Sequence, residues 1–178
     1  MKTALVLTSA CFAISSTASA DTYLGVALGS QPGINDAFVQ AVGQPSGRSL
    51  RGLVGMRFGR LSLEGALNGF SVFTSRFGEQ TAYQASGALK LNLPLGNNFE
   101  AFARGGIERT WLNQSSDGFD LSGTGYLVGG GFEYRLDAMI ANASIFVDYN
   151  IHHAGLDAAR FSVDATEQIW GLGILVGL

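Results

Sequence analysis

The sequence predicts an all-β fold: an eight-stranded antiparallel up-and-down transmembrane β-barrel. From Ala82 to Leu93 nearly every second residue is apolar or glycine, and this two-residue period recurs about eight times along the chain. A period of two is typical of a strand with one apolar and one polar face. The connections between these segments alternate between short and long. That alternation places all the tight turns at one end of a barrel and all the long loops at the other.

Residues 1–20 are typical of a signal peptide. Lys2 precedes a short apolar segment, and Ala18-Ser19-Ala20 supplies the small residues of an A-x-A cleavage site. The apolar segment is too short to span a bilayer as a helix. Cys11 gives a faint likeness to a lipoprotein processing site, but the leucine before it lies one position too far away. The sequence therefore predicts a signal peptide over 1–20 and one outer-membrane barrel domain over 21–178.

Composition excludes several classes of protein. Cleavage of the predicted leader leaves 158 residues, removes the single cysteine, and leaves 10 basic against 14 acidic residues. The mature chain then forms no internal disulfide, and its charge of −4 has the wrong sign for a nucleic-acid binder. No stretch approaches the eighteen or more apolar residues of a transmembrane helix. Glycine contributes 25 of 178 residues, about twice the usual ~7%.

The first four predicted strands cover residues 22–29, 48–58, 61–69 and 82–93. From the second strand onward, charged or amide side chains occupy the face opposite the apolar one. The apolar faces carry Leu24, Val26 and Leu28; Leu50, Val54, Met56 and Phe58; Leu61, Leu63 and Leu67; and Tyr83, Leu89, Leu91 and Leu93.

The last four predicted strands cover residues 99–111, 125–136, 141–151 and 167–178, and they repeat the pattern with more aromatic residues. Their apolar faces carry Phe99, Ala101, Ala103 and Ile107; Tyr126, Val128, Phe132 and Tyr134; Ala143, Ile145, Val147, Tyr149 and Ile151; and Trp170, Leu172, Ile174, Val176 and Leu178.

The connections fix the orientation of the predicted barrel. Short segments at 59–60, 94–98 and 137–140 are expected to be periplasmic turns. Longer segments at 30–47, 70–80, 112–124 and 152–166 are expected to be extracellular loops.

A soluble lipocalin-type barrel, with its apolar face around a ligand, has the same period. Two features favour the membrane barrel. The mature chain has a single lysine, Lys90, which lies in the middle of a strand. Aromatic residues lie near strand ends, where membrane interfaces favour them: Tyr83, Phe99, Trp111, Tyr126, Tyr149 and Trp170.

Several local motifs resemble those of the small eight-stranded outer-membrane β-barrel family, the OmpA-like and opacity-type proteins. The segment from Tyr23 to Gly29 looks like the family's first strand, Leu61-Ser62-Leu63-Glu64 like its third, Val147-Asp148-Tyr149 like its seventh, and Gly171-Leu172-Gly173 like its last. The resemblance implies an integral protein of a Gram-negative outer membrane, inserted by the barrel-assembly machinery through its C-terminal strand.

Two positions depart from the family's pattern. The chain ends at Leu178 where members usually end in Phe or Trp, and Asn150-Ile151 follows Tyr149 where a basic and an aromatic residue are usual.

If the apolar faces meet lipid, five basic and five acidic side chains point into the lumen. An eight-stranded barrel is barely wide enough to hold its own side chains, so these charges must pair or contact trapped water. The sequence favours a charge network that plugs the lumen, with a gated narrow pore as the alternative. Gly105, Gly106 and Gly129–Gly131 are expected to relieve crowding or curvature. The predicted lumen network is Arg51, Arg57, Glu64, Lys90, Glu100, Arg104, Glu108, Glu133, Arg135 and Asp148.

His152-His153, with Asp148 and Asp157 nearby, is the one segment that suggests catalysis or metal binding. Some eight-stranded barrels are lipid A deacylases with a His-x-Ser pair at about this place, but Ala154 removes the hydroxyl nucleophile. Both histidines are expected to be solvated at a strand end. The sequence predicts no catalytic residue, no metal site and no cofactor.

The leading hypothesis is a non-enzymatic integral outer-membrane barrel with a structural or surface-adhesion role. The alternative is a narrow porin for small solutes, and a lipid A-modifying enzyme is third. The expected partners are outer-membrane lipid and lipopolysaccharide, with no nucleic acid. Because the lumen charges cancel, the loops are expected to carry most of the negative charge, which suits a basic partner or divalent ions.

Overall fold

A computed structural model of the chain describes residues 21–35, 39, 43–74, 78–113, 121–137, 142–158 and 161–178. The predicted signal peptide lies outside these residues. Within the described ranges no helix is long and apolar enough to span a membrane. The strands are β1 (Asp21–Gly29), β2 (Gly33–Ile34), β3 (Gln44–Phe58), β4 (Leu61–Thr74), β5 (Gly78–Gly96), β6 (Phe99–Asn113), β7 (Leu121–Asp137), β8 (Asn142–Ala158) and β9 (Phe161–Gly177).

The eight long strands form a closed antiparallel barrel, as the sequence predicts. From β3 to β9 each strand pairs with the next, and β1 pairs with both β3 and β9. The closing seam runs from Tyr23↔Gly177 to Gly29↔Gly171. Closure leaves no open sheet edge along this seam, which a barrel in lipid requires. The two-residue strand β2 continues the wall above β1 by pairing with β9.

Two of the three predicted short turns lie in the described residues, and both are tight. The β3–β4 pairing runs up to Phe58↔Leu61, so Gly59 and Arg60 form the turn. Gly59 has φ +63°, a backbone conformation that glycine adopts without steric cost. The β5–β6 turn ends with Asn97 and Asn98, which also have positive φ values. Of the third segment, residues 138–140 lie outside the described part.

The predicted long loops are wrong in their bounds, because the strands continue past the lipid-facing belt. β4 reaches Thr74 and β5 begins at Gly78, so most of 70–80 is strand. β8 reaches Ala158 and β9 begins at Phe161, so most of 152–166 is strand too. In these extensions most apolar residues face inward, among them Val72 and Leu156, whereas Phe73 faces outward. The lipid-facing pattern therefore stops although the strands do not.

The two faces of the barrel are inverted relative to a soluble protein. Outward side chains such as Leu67 and Ile107 are 67% and 75% exposed, whereas the inward Lys90 and Asp148 are 3% and 1% exposed. The apolar side chains on the outside face lipid, and the polar side chains inside must form hydrogen bonds or ion pairs with one another.

The lumen also holds two apolar clusters that the sequence analysis does not predict. One surrounds the central charges and the other closes the lumen at the end with the long connections. The central cluster is Tyr23, Ala27, Leu53, Phe102, Phe146 and Leu175. The extracellular apolar cluster is Phe70, Val72, Ala82, Leu112, Ala154, Leu156 and Val163.

Candidate functional site

The first group of lumen charges lies at the end with the tight turns, which is predicted to be periplasmic and which we call the periplasmic end. Glu100 of β6 accepts two hydrogen bonds from the Arg57 guanidinium, at 2.8 and 2.9 Å. Arg135 of β7 lies 2.9 Å from the same carboxylate, and its side chain is 45% exposed. A two-point contact between arginine and a carboxylate fixes both groups in orientation. These three residues form the periplasmic cluster.

Six further charges form a central network halfway along the lumen, and its middle member is Glu64 on β4. The Glu64 carboxylate lies 3.2 Å from Arg104 and 3.5 Å from Lys90. It also accepts a 2.7 Å hydrogen bond from the Tyr23 hydroxyl. Lys90 in turn lies 2.8 Å from Glu133. Glu64 therefore joins two cations on neighbouring strands β5 and β6.

Asp148 on β8 extends the central network to the other side of the lumen. Its carboxylate accepts hydrogen bonds from Arg51 on β3 and from Arg104 on β6. The full network is Lys90, Arg104 and Arg51 with Glu133, Glu64 and Asp148. It has three charges of each sign, so its formal net charge is zero.

An aromatic ring and a glycine border this network. The Lys90 ammonium lies 4.3 Å from the Phe102 ring centroid, and the Arg104 guanidinium lies 5.0 Å from it. A ring face attracts a cation and replaces water beside it. Gly171 of β9 faces the Asp148 carboxylate, where a Cβ atom would also lie 3.3 Å from Arg51 Nη2. A side chain there would therefore push the central network apart.

A third polar group lies closer to the extracellular end. His152 Nδ1 of β8 lies 2.5 Å from Glu108 Oε2 of β6, and the His152 ring is buried. Gln84 donates a hydrogen bond of 2.5 Å to Glu167 and accepts one of 2.9 Å from Asn68. We call these five residues the extracellular polar layer.

The expectation that both histidines are solvated is wrong for His152. Alternation along β8 turns His152 inward and leaves His153 outward, where its Nδ1 lies 2.9 Å from the Thr166 hydroxyl. The sequence places the pair at a strand end, whereas β8 continues to Ala158. His152 is thus inside the barrel rather than at its rim.

Above the polar layer, the extracellular apolar cluster fills the lumen. Val72 is fully buried, and Phe70 and Leu156 are 5% and 2% exposed. Ala154, at the position where a nucleophilic serine would be needed for acyl transfer, is part of this cluster. In the part of the chain that the structure describes, no group of three or more His, Cys, Asp or Glu side chains is arranged to hold a metal ion.

Within the described residues, a sizeable cavity lies at the periplasmic end of the lumen. A cavity of about 250 Å³ there is bordered by Tyr23, Arg57, Lys90, Glu133 and Arg135. Deeper cavities, beside Glu64, beside Ser49 and beneath Phe70, measure about 20, 10 and 20 Å³. A space of that size holds roughly one water molecule.

All ten predicted lumen residues lie on the inward side of their strands, but in three separate groups. Glu108 is apart from the other nine and contacts His152 instead of a lysine or arginine. Arg135 lies at the exposed mouth. The predicted network omits five lumen contributors: Tyr23, Asn68, Gln84, His152 and Glu167. Inward parity could have revealed Tyr23, Asn68, Gln84 and Glu167, which lie on predicted strands, whereas His152 lies just past the predicted end of its strand at Ile151.

The glycines of the lumen strands also fall into two groups. A Cβ on the inward Gly106, Gly129 or Gly131 would collide with atoms of neighbouring strands. A Cβ on the outward Gly130 would lie 3.0 Å from the Phe102 carbonyl oxygen, whereas one on the outward Gly105 would meet only the Leu127 carbonyl oxygen, at 3.9 Å. Crowding is therefore the reason for the inward glycines and not for Gly105.

A profile of the outer membrane protein beta-barrel domain matches residues 3–176. The chain belongs to this family. It is therefore an outer-membrane β-barrel protein, as the resemblance found in its sequence implies. No curated protein matches it in sequence.

Solved outer-membrane barrels have a similar fold. Neisserial surface protein A (NspA) superposes with a TM-score of 0.68 at 14% identity, over 88% of this chain and 97% of that one. OprG from Pseudomonas aeruginosa gives a TM-score of 0.52 at 12% identity, over 89% and 95% of the two chains. At these identities the likeness extends to the barrel architecture alone.

Proposed function

We propose that this outer-membrane barrel has a closed lumen and acts structurally or in surface adhesion, through its outer wall and extracellular end. The observation that carries the proposal is the central network. Its six charged side chains run from Arg51 through Asp148, Arg104, Glu64 and Lys90 to Glu133 without a break. The network links strands on opposite sides of the barrel.

Burial argues for a plug rather than for a water-filled pore. The six side chains of the network are between 1% and 9% exposed. Charges in an aqueous channel would stay hydrated, whereas buried charges are tolerated when they pair and hydrogen-bond. An eight-stranded barrel leaves little room beyond its own side chains. The small deeper cavities are consistent with a lumen that holds isolated waters.

The extracellular apolar cluster supports a second barrier to ions. Phe70, Val72 and Leu156 pack across the lumen at the level where a solute from outside would enter. An ion crossing this layer would lose its hydration without gaining a polar partner. The two barriers have different chemistry, so weakening one leaves the other in place.

The proposed role is non-enzymatic. Acyl transfer needs a nucleophile beside a base, and the residue after His153 is a buried alanine.

The surface-adhesion part of the proposal rests on charge. Because the central network is neutral, the negative excess of the chain lies outside it, which suits a basic partner at the extracellular end.

Conductance of purified, refolded protein in planar bilayers tests the closed lumen. We expect no steady current from the wild type. The triple variant Arg51→Ser, Arg104→Ser, Phe70→Ala should raise conductance, because it weakens both the central network and the extracellular apolar cluster. Gly87→Ala, on the outer wall with open space around it, is the control. Steady wild-type current with small-ion selectivity would refute the plug and favour the narrow porin.

Binding of folded protein to immobilised polylysine tests the adhesion part. Asp117→Asn with Asp120→Asn should weaken binding at low salt, because the segment 112–124 loses two charges. Asp21→Asn, at the periplasmic end, is the matched control. Equal binding by all three proteins would contradict a charge-driven role for this segment.

A further inference from the structure

Arg109 on β6 is a cation on the outer wall of the barrel. Along β6, the outward positions before it are Phe99, Ala101, Ala103, Gly105 and Ile107, all apolar. From Phe99 to Arg109 the strand rises about 33 Å at about 3.3 Å per residue. With a strand tilt of about 40°, this is about 25 Å along the membrane normal, the height of the apolar band. Arg109 therefore lies at the extracellular interface.

Arg109 is exposed, and among the described residues its guanidinium interacts with the ring of Trp111, 5.8 Å from Cζ to the ring centroid. No described carboxylate lies within 4 Å of it. By strand pairing, the outward acids Asp157 and Asp164 lie on β8 and β9, two and three strands away from β6. That is about 10 and 14 Å at the spacing of paired strands. The five N–H donors of the group thus lack an anionic partner among the described residues.

The neighbours of Arg109 leave space beside it at the interface. It pairs with Ala85 on β5 and with Thr124 on β7, both of which have small side chains. Tyr83 and Tyr126 flank this space, and they are 49% and 52% exposed. Aromatic residues at this height are typical of the belt at the level of the lipid headgroups. A cation framed by such residues fits an anionic headgroup whose acyl chains lie along the wall below.

We propose that Arg109, with Trp111 and Tyr126 beside it, binds a phosphate group of a lipid A molecule in the outer leaflet. The Trp111 ring lies 5.8 Å from the guanidinium carbon, within the range of a cation–π interaction, and the N–H donors of the group are available to phosphate oxygens. Ile107, 75% exposed just below, contacts the acyl chains. The exposed Arg48 is on β3, three strands round the barrel, so it does not join this site. The inference rests on the outer-membrane location and not on the closed lumen.

Trp111 makes the site directly measurable. The chain has two tryptophans, so Trp170→Phe leaves Trp111 as the sole source of tryptophan emission. This protein, folded into phosphatidylcholine nanodiscs, is titrated with bisphosphorylated lipid A and, separately, with the same lipid after dephosphorylation. We expect a saturable change in Trp111 emission with the bisphosphorylated lipid. In the same background Arg109→Gln should weaken the apparent affinity about fivefold, the usual effect of one basic residue near an anionic surface.

Arg60→Gln is the matched control, since Arg60 is an exposed arginine at a periplasmic turn. It should leave the affinity for lipid A unchanged. Heat-dependent migration on gels shows that each variant is folded before titration. Equal affinity of Arg109→Gln and the parent would overturn the proposal, as would equal binding of the dephosphorylated lipid. An emission change with millimolar inorganic phosphate alone would assign the site to free phosphate. A response to polyglutamate but not to lipid A would assign it to an acidic protein.

Discussion

His152 on β8 reaches Glu108 on β6 across the whole width of β7, with 2.5 Å between the Nδ1 and Oε2 atoms. The intervening inward position is Gly125, which pairs with Glu108 on one side and with Ala154 on the other. A Cβ at Gly125 would collide with the backbone of His153 and Ala154. The contact between these two side chains therefore spans a strand that carries no side chain at that level.

Loss of the His152 side chain should destabilise the barrel. His152→Ala leaves the buried Glu108 carboxylate without its partner, which costs about 1–3 kcal/mol. His152→Gln retains a hydrogen-bond donor and should recover part of this. The free energy of unfolding in guanidinium, measured in lipid vesicles, is the readout.

The adjacent residue is the control for that measurement. His153 is outward and half-buried, and it contacts Thr166 and the Tyr126 ring. His153→Ala should cost at most about 1 kcal/mol, the value of one ordinary hydrogen bond. Equal losses for the two alanine variants would contradict the placement of His152 in the lumen.

Glu64→Ala should be among the most damaging single changes in the lumen. It removes the carboxylate that Arg104, Lys90 and Tyr23 share and leaves two buried cations uncompensated. Breaking a buried ion pair costs about 3–5 kcal/mol. Asp157→Ala, an exposed acid on the outer side of β8, should change stability by less than about 0.5 kcal/mol. A loss below 1 kcal/mol for Glu64→Ala would show that water reaches the network.

Gly171→Ala should strain the central network without removing a charge. The added methyl group would press on the Asp148 carboxylate and lie 3.3 Å from Arg51 Nη2. Overpacking of this kind costs about 1–3 kcal/mol. Gly87→Ala adds the same methyl group on the outer wall, where no atom lies within 4 Å. If the two variants unfold at the same denaturant concentration, the lumen at Gly171 is looser than the structure indicates.

Processing is predicted between Ala20 and Asp21, because small residues occupy both recognition positions of the A-x-A site. Mass spectrometry of protein extracted from outer membranes should give a mature N-terminus at Asp21. A lipid-modified Cys11 at the N-terminus would instead establish the lipoprotein alternative.

Much of the architecture could be read from the sequence. The eight strands, their antiparallel order and the lipid-facing residues follow from a period of two, because an outward residue has one requirement, that it be apolar. The ten lumen charges follow from the same parity. The extensions of β4, β5, β8 and β9 could not be read this way, since there Val72 and Leu156 face inward and the chemical pattern is reversed.

The choice of partners was decided by the tertiary structure alone. Sequence parity places Glu64, Glu108 and Asp148 on inward faces but says nothing of which cation each one meets. That depends on strand stagger and on gaps left by glycines. Gly125 lets His152 contact Glu108, and Gly171 gives Asp148 the space to bind Arg51. The alternation within a single strand determines whether each side chain faces inward or outward. A contact across the lumen depends instead on the relative positions of several strands at once.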